Sequence, residues 1–582
     1  MKCVLTNEAY KYVHGIRKKW VFPEEQEQAI KLTCAKNDWA SVQLLLYSES
    51  EMLVAVNDEP LFYERGPIEI VRVAVDVPGL DKGDVKVRLV GMVEDDDRQL
   101  KSDILLAQSY AYVEPRKTQP VWIEIAIDKD VQPGIYRPEI TVFGHHMFED
   151  EKVVCKKSFE MNVRDVVLKD AKDYGFYLDL WQHNCNIARK YDVLLWSEKH
   201  FEIMEKYIKA LADLGQKAIS VVVSEIPWSG QNCCYNRLKP SNLFEYSMVK
   251  VIKDEQGNWH YDFSALNRYI ELCMAYGIDT EIEVFGLLNI WLMEDAGYGK
   301  VIQGFDDGIR VRYFDEKERI YRYIDDIQDL QSYISGLEQN FIDKGWIEKV
   351  RILADEPEDV EAFKARLNRL RQMAPHFKIK LAIDHIEFME EQIPGVTDFV
   401  PIFHCLCQKY DKAEVLKKTI EGKFIYYVCC IPEIPNTFIS SPLIEGRIIP
   451  WFAYYFGLDG FLRWNFTVWP DDPLASIVYQ YPHWRAGDTN FVYPGKDGTP
   501  LLTLRYMNLK RGIRDFEIFQ SFIQNEGNEG ELKEWLKEVF YWKEPSELTP
   551  TARKKPEELY SLKYNDYEKI VEKILLSLEE NK

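Results

Sequence analysis

The stretch Lys349-Val-Arg-Ile-Leu-Ala-Asp-Glu-Pro-Glu-Asp359 decides how this chain is read. The run Val350 to Ala354 is short and apolar, as a buried strand is, and it stops at two neighbouring carboxylates, Asp355 and Glu356. Pro357 ends the ladder and keeps Glu356 out of helical geometry, so the pair is expected in a short loop. A helical pattern resumes at Val360. In a parallel barrel, a loop leading from strand to helix lies on the face where catalytic groups gather. The ordinary alternative is that the acidic residues cap the next helix.

Working outward from this loop, the same rhythm recurs after residue 170. Strands are expected at Tyr174 to Leu180, Ala218 to Val223, Thr280 to Phe285, Val350 to Ala354, Ile379 to Ile383, Phe399 to Phe403, Phe424 to Cys430 and Gly460 to Trp464. Helical spacing falls between them, at Glu198 to Leu214, Phe263 to Tyr276, Ile327 to Lys344, Val360 to Met373, Lys412 to Glu421 and Leu443 to Phe456. Eight alternating units predict a (β/α)8 TIM barrel over 169–525. Long insertions at 224–262 and 286–325 would follow its second and third strands and border a pocket. Before the barrel, two-residue alternation such as Val121-Trp-Ile-Glu-Ile-Ala-Ile127, broken by turn signals like Pro133-Gly134, predicts an antiparallel β-sandwich over 1–168. After the eighth strand, Asn465 to Pro500 is rich in Trp, Tyr, Pro, Gly and Asp. A helix is expected from Leu501 to Gln524. Residues 526–582 read as a helical extension, with apolar spacing from Glu557 to Leu578 that docks on the barrel.

Composition narrows the function classes. With 46% hydrophobic residues in 582, the chain can bury a large core, and disorder is excluded as its main state. A formal charge of -22 argues against nucleic acid, whose binding needs clustered Lys and Arg. The first residues carry no apolar signal core and no run is long enough to cross a bilayer, so a cytoplasmic protein without membrane insertion is expected. Eleven scattered cysteines include no C-x-x-C unit, and Cys429-Cys430 sits in an apolar run, so free thiols and no metal are expected. No Gly-rich phosphate loop or nucleophilic elbow is present, and no cofactor is expected.

At the expected strand ends stand Asp179, Trp181-Gln182-His183, Glu225, Glu283, Asp355-Glu356, Asp384-His385, His404, Tyr426-Tyr427 and Trp464-Asn465. Aromatic platforms beside carboxylates and amides suit a sugar, whose C–H faces stack and whose hydroxyls need directed bonds. An ordinary retaining glycosidase pair comes from different strands, with carboxyl groups about 5 to 5.5 Å apart across the scissile bond. Neighbouring residues, tethered at about 3.8 Å between Cα atoms, cannot easily flank one ring. The natural division gives Glu356 the leaving oxygen's proton and Asp355 a group of the substrate. An N-acetyl carbonyl can then attack the anomeric carbon, with Asp355 holding the amide N–H.

Asp355-Glu356-Pro357, Trp451, Gly460-Phe-Leu-Arg-Trp-Asn465, Trp484-Arg-Ala-Gly-Asp488, Tyr493-Pro-Gly495 and Arg511-Gly-Ile-Arg-Asp-Phe-Glu517 together resemble glycoside hydrolase family 123 over roughly residues 170–520. The resemblance implies a retaining, exo-acting β-N-acetylgalactosaminidase working by substrate assistance on terminal GalNAc of oligosaccharide or glycolipid glycans. It implies Asp355 as the group that polarises the acetamide and Glu356 as the acid and later base. His183, Tyr427, Trp451, Trp464, Asp488 and Tyr493 match aromatic or polar positions of the family pattern and are expected, with Glu283 from the strand ends, to bind substrate. Arg505, Arg511 and Asp515 read instead as structural ion pairs. Two other readings stay open: a conventional retaining glycosidase, such as a galactosidase, with Glu356 as acid and Glu225, Glu283 or another strand-end carboxylate as nucleophile, and a glycan-binding protein without catalysis.

Overall fold

A computed structural model describes residues 1–14, 29–57, 68–146, 149–227, 244–288, 301–302, 308–391, 393–470, 472–474 and 484–580. The chain is a mixed α/β protein whose first part is strand-rich. There a six-stranded antiparallel sheet is centred on Asp38–Tyr47 and Thr118–Ile127, paired over their full lengths. A five-stranded sheet is built around Glu139–His146 and Glu69–Asp76. Both faces of the central strands are buried, with Val42, Leu44, Trp122 and Ile123 at 0% exposure. This part departs from the purely antiparallel expectation at two places. Met52–Ala55 pairs in parallel with Glu69–Asp76, and Lys31–Lys36 pairs in parallel with Glu160–Val167. The first of these pairs is joined by residues 56–68, long enough for the crossover that a parallel pair requires.

From Tyr177 onward eight strands pair in parallel with one another. They are β1 (Tyr177–Leu180), β2 (Ala218–Val222), β3 (Glu281–Phe285), β4 (Val350–Asp355), β5 (Lys378–Ile383), β6 (Val396–Pro401), β7 (Ile425–Tyr427) and β8 (Gly460–Arg463). Strands β2 to β6 form one ladder and β1, β8 and β7 another. Isolated parallel bridges link them, Leu178 to Gln216 on one side and Phe399 to Phe424 and Ile402 to Tyr427 on the other. Each strand begins and ends within three residues of its expected span, β7 stopping at Tyr427 rather than Cys430. The chain turns there through two cis prolines, Ile431-Pro432 and Ile434-Pro435. The expected insertions fold partly into a four-stranded sheet of Lys250–Lys253, Trp259–Asp262, Arg312–Asp315 and Ile320–Tyr323. Residues 228–243, 289–300, 303–307 and 475–483, which include parts of those insertions and of the aromatic segment after β8, lie outside the described residues.

Three further helices finish the body: α1 (Ile444–Tyr455), α2 (Leu504–Gln524) and α3 (Tyr564–Glu580). Helix α2 is capped by Thr503, whose side chain accepts from the Tyr506 amide. It crosses α1 closely, because Gly512 leaves no room for a Cβ, which would meet the Arg447 carbonyl oxygen at 2.3 Å. Its arginines reach the N-terminal sheet. Arg511 holds Glu8 with two bonds of 2.8 and 3.1 Å, Arg505 grips Asp103 at 2.9 to 3.2 Å, and Arg514 pairs with Asp38. All are buried. Such forked pairs are strong when both partners stay and costly when one is removed. Helix α3 starts later than the sequence predicts and packs on both parts of the chain. Tyr567 lies against Trp451 of α1, and Glu579 accepts from Arg164 of the N-terminal strands at 3.1 Å. Among the described residues no helix is long and apolar enough to cross a membrane.

Candidate active site

Strand β4 is buried from Ile352 to Ala354 and delivers Asp355 as its last residue. In an extended chain the next side chain would point to the opposite face. Glu356 instead takes a left-handed backbone, φ +44, which is rare and strained for a residue with a side chain. Its amide is pinned by a 3.0 Å bond to the Ala382 carbonyl of β5. The turn at Glu356 therefore brings both carboxyl groups to one side, and both line one cleft. Helix capping falls to a different residue. Asp359 accepts from the Ala362 amide at 2.6 Å and caps Val360–Met373, which leaves Asp355 and Glu356 free of that duty.

Trp181, Ala382, Tyr427, Cys429, Cys430, Leu462, Trp464 and Trp484 complete the lining. Tyr427 donates from its hydroxyl to Glu356 Oε1 at 2.5 Å. Trp464 and Trp484 pack with ring centres 5.0 Å apart, and Trp181 stands edge-on to Phe285 at 4.9 Å. Such rings offer apolar faces with polar edges, which suits the C–H face of a sugar.

The cleft's acidity has a clear origin. Burial and the nearby carboxyl of Asp384, just past β5, push the Glu356 carboxyl up to about 7, and the bond from Tyr427 pulls partly the other way. Asp355 is raised well above the ordinary range by burial, then by Glu356 and Asp384. Asp384 is itself raised by burial, with His385 opposing. A carboxyl that still holds its proton near neutrality can act as a general acid.

One layer beneath the floor lies a second charged group. Lys380 and Asp179 sit two residues before the lining residues Ala382 and Trp181 on their strands, hence on the same face one step down. Lys380 Nζ is 3.0 Å from Glu281 and 3.1 Å from Glu283, and it also pairs with Asp179. Burial alone would lower its pKa, yet the three carboxylates hold it well above the ordinary value. Asp179, Glu281 and Glu283 are close enough together to embrace a cation, and the Lys380 ammonium stands among them.

Of the residues expected to meet substrate, Asp355, Glu356, Tyr427 and Trp464 line the cleft. The others are found elsewhere, each for a physical reason. Glu283 belongs to the Lys380 layer, a full pleat below the floor. His183 lies behind Trp464, its Nε2 2.8 Å from that residue's carbonyl oxygen, an acceptor only, and its Nδ1 3.7 Å from Glu245. Asp488 takes bonds from Arg463 at 3.0 Å and from the Trp464 indole at 3.3 Å, and so fixes the indole from behind. Trp451 is wholly buried, donating to Asp515 at 3.0 Å and packed on Phe519. Tyr493 donates to Asp103 of the N-terminal sheet at 2.9 Å. Arg505, Arg511 and Asp515 form buried ion pairs, as expected. Glu225 is tied to Arg312 at 2.5 Å and to the Tyr323 hydroxyl. Trp181 and Asp384, which directly follow their strands, stood among the expected strand-end residues, and Trp484 stood in the family-like motif, but none of the three was among the expected substrate contacts. The two cysteines were expected only as free thiols in an apolar run.

The family model for the glycoside hydrolase 123 catalytic domain matches residues 181–522. No curated protein matches the chain. The solved structure of a family 123 glycoside hydrolase from Clostridium perfringens, described for glycolipid glycan hydrolysis, is similar over 100% of this chain and 99% of that one. Its TM-score is 0.74 at 18% identity. A β-D-glucuronidase structure from Dictyoglomus thermophilum aligns with 82% of this chain and 66% of its own, at a TM-score of 0.30 and 11% identity, too distant to bear on the fold. With a match across more than half its length, this chain belongs to glycoside hydrolase family 123.

Proposed function

We propose that the cleft is the site of a retaining exo-β-N-acetylgalactosaminidase that uses the substrate's own acetamide as nucleophile. The observation that carries this reading is that the carboxyl groups lining the cleft are the neighbouring pair Asp355 and Glu356. The two strand-end glutamates named as candidates for an enzyme-borne nucleophile are engaged elsewhere, Glu283 with Lys380 and Glu225 with Arg312 and Tyr323. In the first step Glu356 gives its proton to the glycosidic oxygen while the acetamide oxygen bonds to the anomeric carbon and the aglycone leaves. Asp355 accepts the acetamide N–H and stabilises the oxazolinium charge. In the second step Glu356, now ionised, takes a proton from water, which attacks the same carbon and reopens the ring, so the configuration is retained. Trp181, Trp464 and Trp484 form the wall against which the hexosamine would stack.

The parallel ladders support reading β1 to β8 as one (β/α)8 barrel at 169–525, since the bridges at Leu178 and at Phe399 and Ile402 join the ladder ends. On this reading residues 1–168 form a β-sandwich and 526–582 a helical extension. The likeness to the Clostridium perfringens enzyme supports a glycan of a glycolipid as substrate. The test is release of nitrophenol from β-GalNAc, β-GlcNAc and β-Gal derivatives together with inhibition by a GalNAc-thiazoline. Turnover of β-GalNAc with tight thiazoline inhibition is expected. Turnover of β-Gal, no thiazoline effect and trapping by a 2-fluoro sugar would point to an enzyme-borne nucleophile and overturn it.

A further inference from the structure

Cys429 and Cys430 stand side by side in the cleft lining, two and three residues past Tyr427, as free thiols with their sulfurs 3.8 Å apart. The backbone that carries them is held firmly. Asn436 donates to the Cys429 carbonyl at 2.9 Å and to the Pro432 carbonyl at 2.7 Å, and Arg463 donates to Asn436 Oδ1 at 2.9 Å. The Cys429 amide bonds to the Ile431 carbonyl at 3.0 Å. The two sulfurs are thus presented at a set spacing rather than on a loose loop.

That spacing suits one atom shared between the sulfurs. A centre bonded to two sulfurs at about 2.3 Å spans about 3.8 Å at a tetrahedral angle, and somewhat less at the narrower angle of a pyramidal trivalent centre. A direct bond between the sulfurs fits worse. Disulfides favour Cα separations of about 5.5 to 6 Å, whereas adjacent residues offer about 3.8 Å.

We propose that Cys429 and Cys430 form a dithiol site for a sulfur-seeking trivalent centre, arsenic(III), and that its occupation closes the cleft. With an organoarsenic oxide the step balances without any change of oxidation state. Two S–As bonds form, the As–O bonding is broken, and both thiol protons leave with the oxygen as water. The neighbouring Cys430 thiol, burial and the carboxyl of Glu356 keep the Cys429 thiol protonated far above its ordinary range. Attack of Cys429 on a single-point alkylating agent is therefore slow, since that needs the thiolate. Condensation with a centre that takes both thiols at once gains from their fixed proximity.

The loss of hydrolysis rests on the cleft's being the active site, but binding does not, and the experiment separates them. Full-length protein is treated with equimolar phenylarsine oxide and read by intact mass and by hydrolysis of the aryl glycoside. One phenylarsenic adduct is expected, with hydrolysis falling in proportion and recovering with 2,3-dimercaptopropanol but not with an equivalent monothiol. C429S and C430S should each require at least tenfold more reagent, measured against their own untreated activity. C3S should retain the adduct, which excludes capture by Cys3 and Cys155, a neighbouring pair in the N-terminal strands. Absence of an adduct on the wild-type protein, or its persistence in both C429S and C430S, overturns the site. An adduct that leaves hydrolysis unchanged overturns the closure. If the aryl glycosides are not hydrolysed at all, the mass measurement still decides the binding.

Discussion

Two groups of carboxyl side chains lie one strand layer apart, and they differ in whether a cation stands among them. Beneath the floor, Asp179, Glu281 and Glu283 surround the ammonium of Lys380. In the cleft, on top of burial, Glu356 and Asp384 raise the pKa of Asp355, Asp384 raises that of Glu356, and Glu356 accepts from the neutral hydroxyl of Tyr427. Burial raises the pKa values of Glu281 and Glu283 as it does those of the cleft acids, but beneath the floor the Lys380 ammonium pulls the other way, and among the described residues Asp355 and Glu356 have no such cation beside them. The lower group can hold strands β1, β3 and β5 together, and the upper one can deliver a proton. The same residue types become structural or chemical according to whether a cation stands among them.

The sharpest way to test the upper half of this contrast is Glu356→Gln. Losing a general acid and base of this kind should lower kcat by about 10² to 10⁴ on a substrate with a poor leaving group. The loss should shrink for a nitrophenyl or dinitrophenyl leaving group, which needs less protonation. Full activity on the poor leaving group would end the assignment.

The lower half is tested by Lys380→Met. Removing one partner of a buried charge cluster costs about 3 to 5 kcal/mol. The drop in Tm should be largest above neutral pH and smaller near pH 4.5, where the orphaned carboxyls take up protons. A variant as stable as the parent at pH 8 would show that the cluster is not held by its cation.

Asp384→Asn addresses the coupling within the cleft. Glu356 must be protonated to act as acid, so kcat/KM should fall as the pH rises through about 7. Removing a neighbouring negative charge lowers the Glu356 pKa, so the fall should move to lower pH by roughly half a unit to one unit. A purely structural role for Asp384 would lower activity without moving that limb.

The smallest effect concerns stability. Because the folded-state pKa of Glu356 is raised, its contribution is fully present below the ordinary carboxyl range and is lost as the pH rises through about 7. Gln does not titrate. Relative to the parent, Glu356→Gln should therefore gain stability between pH 5 and pH 8, by on the order of 1 kcal/mol. Parallel Tm curves over that interval would contradict the raised pKa.

Much of this arrangement was legible in the chain, and the reasons for the rest are physical. Strand β4 and its acidic end could be read because a short apolar run, a proline and a new helical period leave little freedom. The side on which a residue points was harder. Glu283 and Asp355 both belong to strands of the ladder, but Glu283 comes two residues before the end of β3 and falls one pleat low. No spacing rule fixes that phase in advance. The left-handed backbone of Glu356 was equally hidden, since a glutamate gives no signal for it. Partners distant in sequence were out of reach altogether. Tyr493 and Trp451 carry the look of a sugar site, yet each is committed to a contact that only the packed fold creates, with Asp103 and with Asp515.

Arg505, Arg511 and Arg514 all lie in the second half of the chain and all find their carboxylates in the first 103 residues. The segment 181–522, though it carries the family signature, is therefore not a portable enzyme. Cut free of the leading strands, it would expose a row of stranded guanidinium groups and the apolar flank of α2. Any evolutionary or engineered rearrangement that transplants the catalytic portion must carry the front sheets along, or replace three anionic sockets at once.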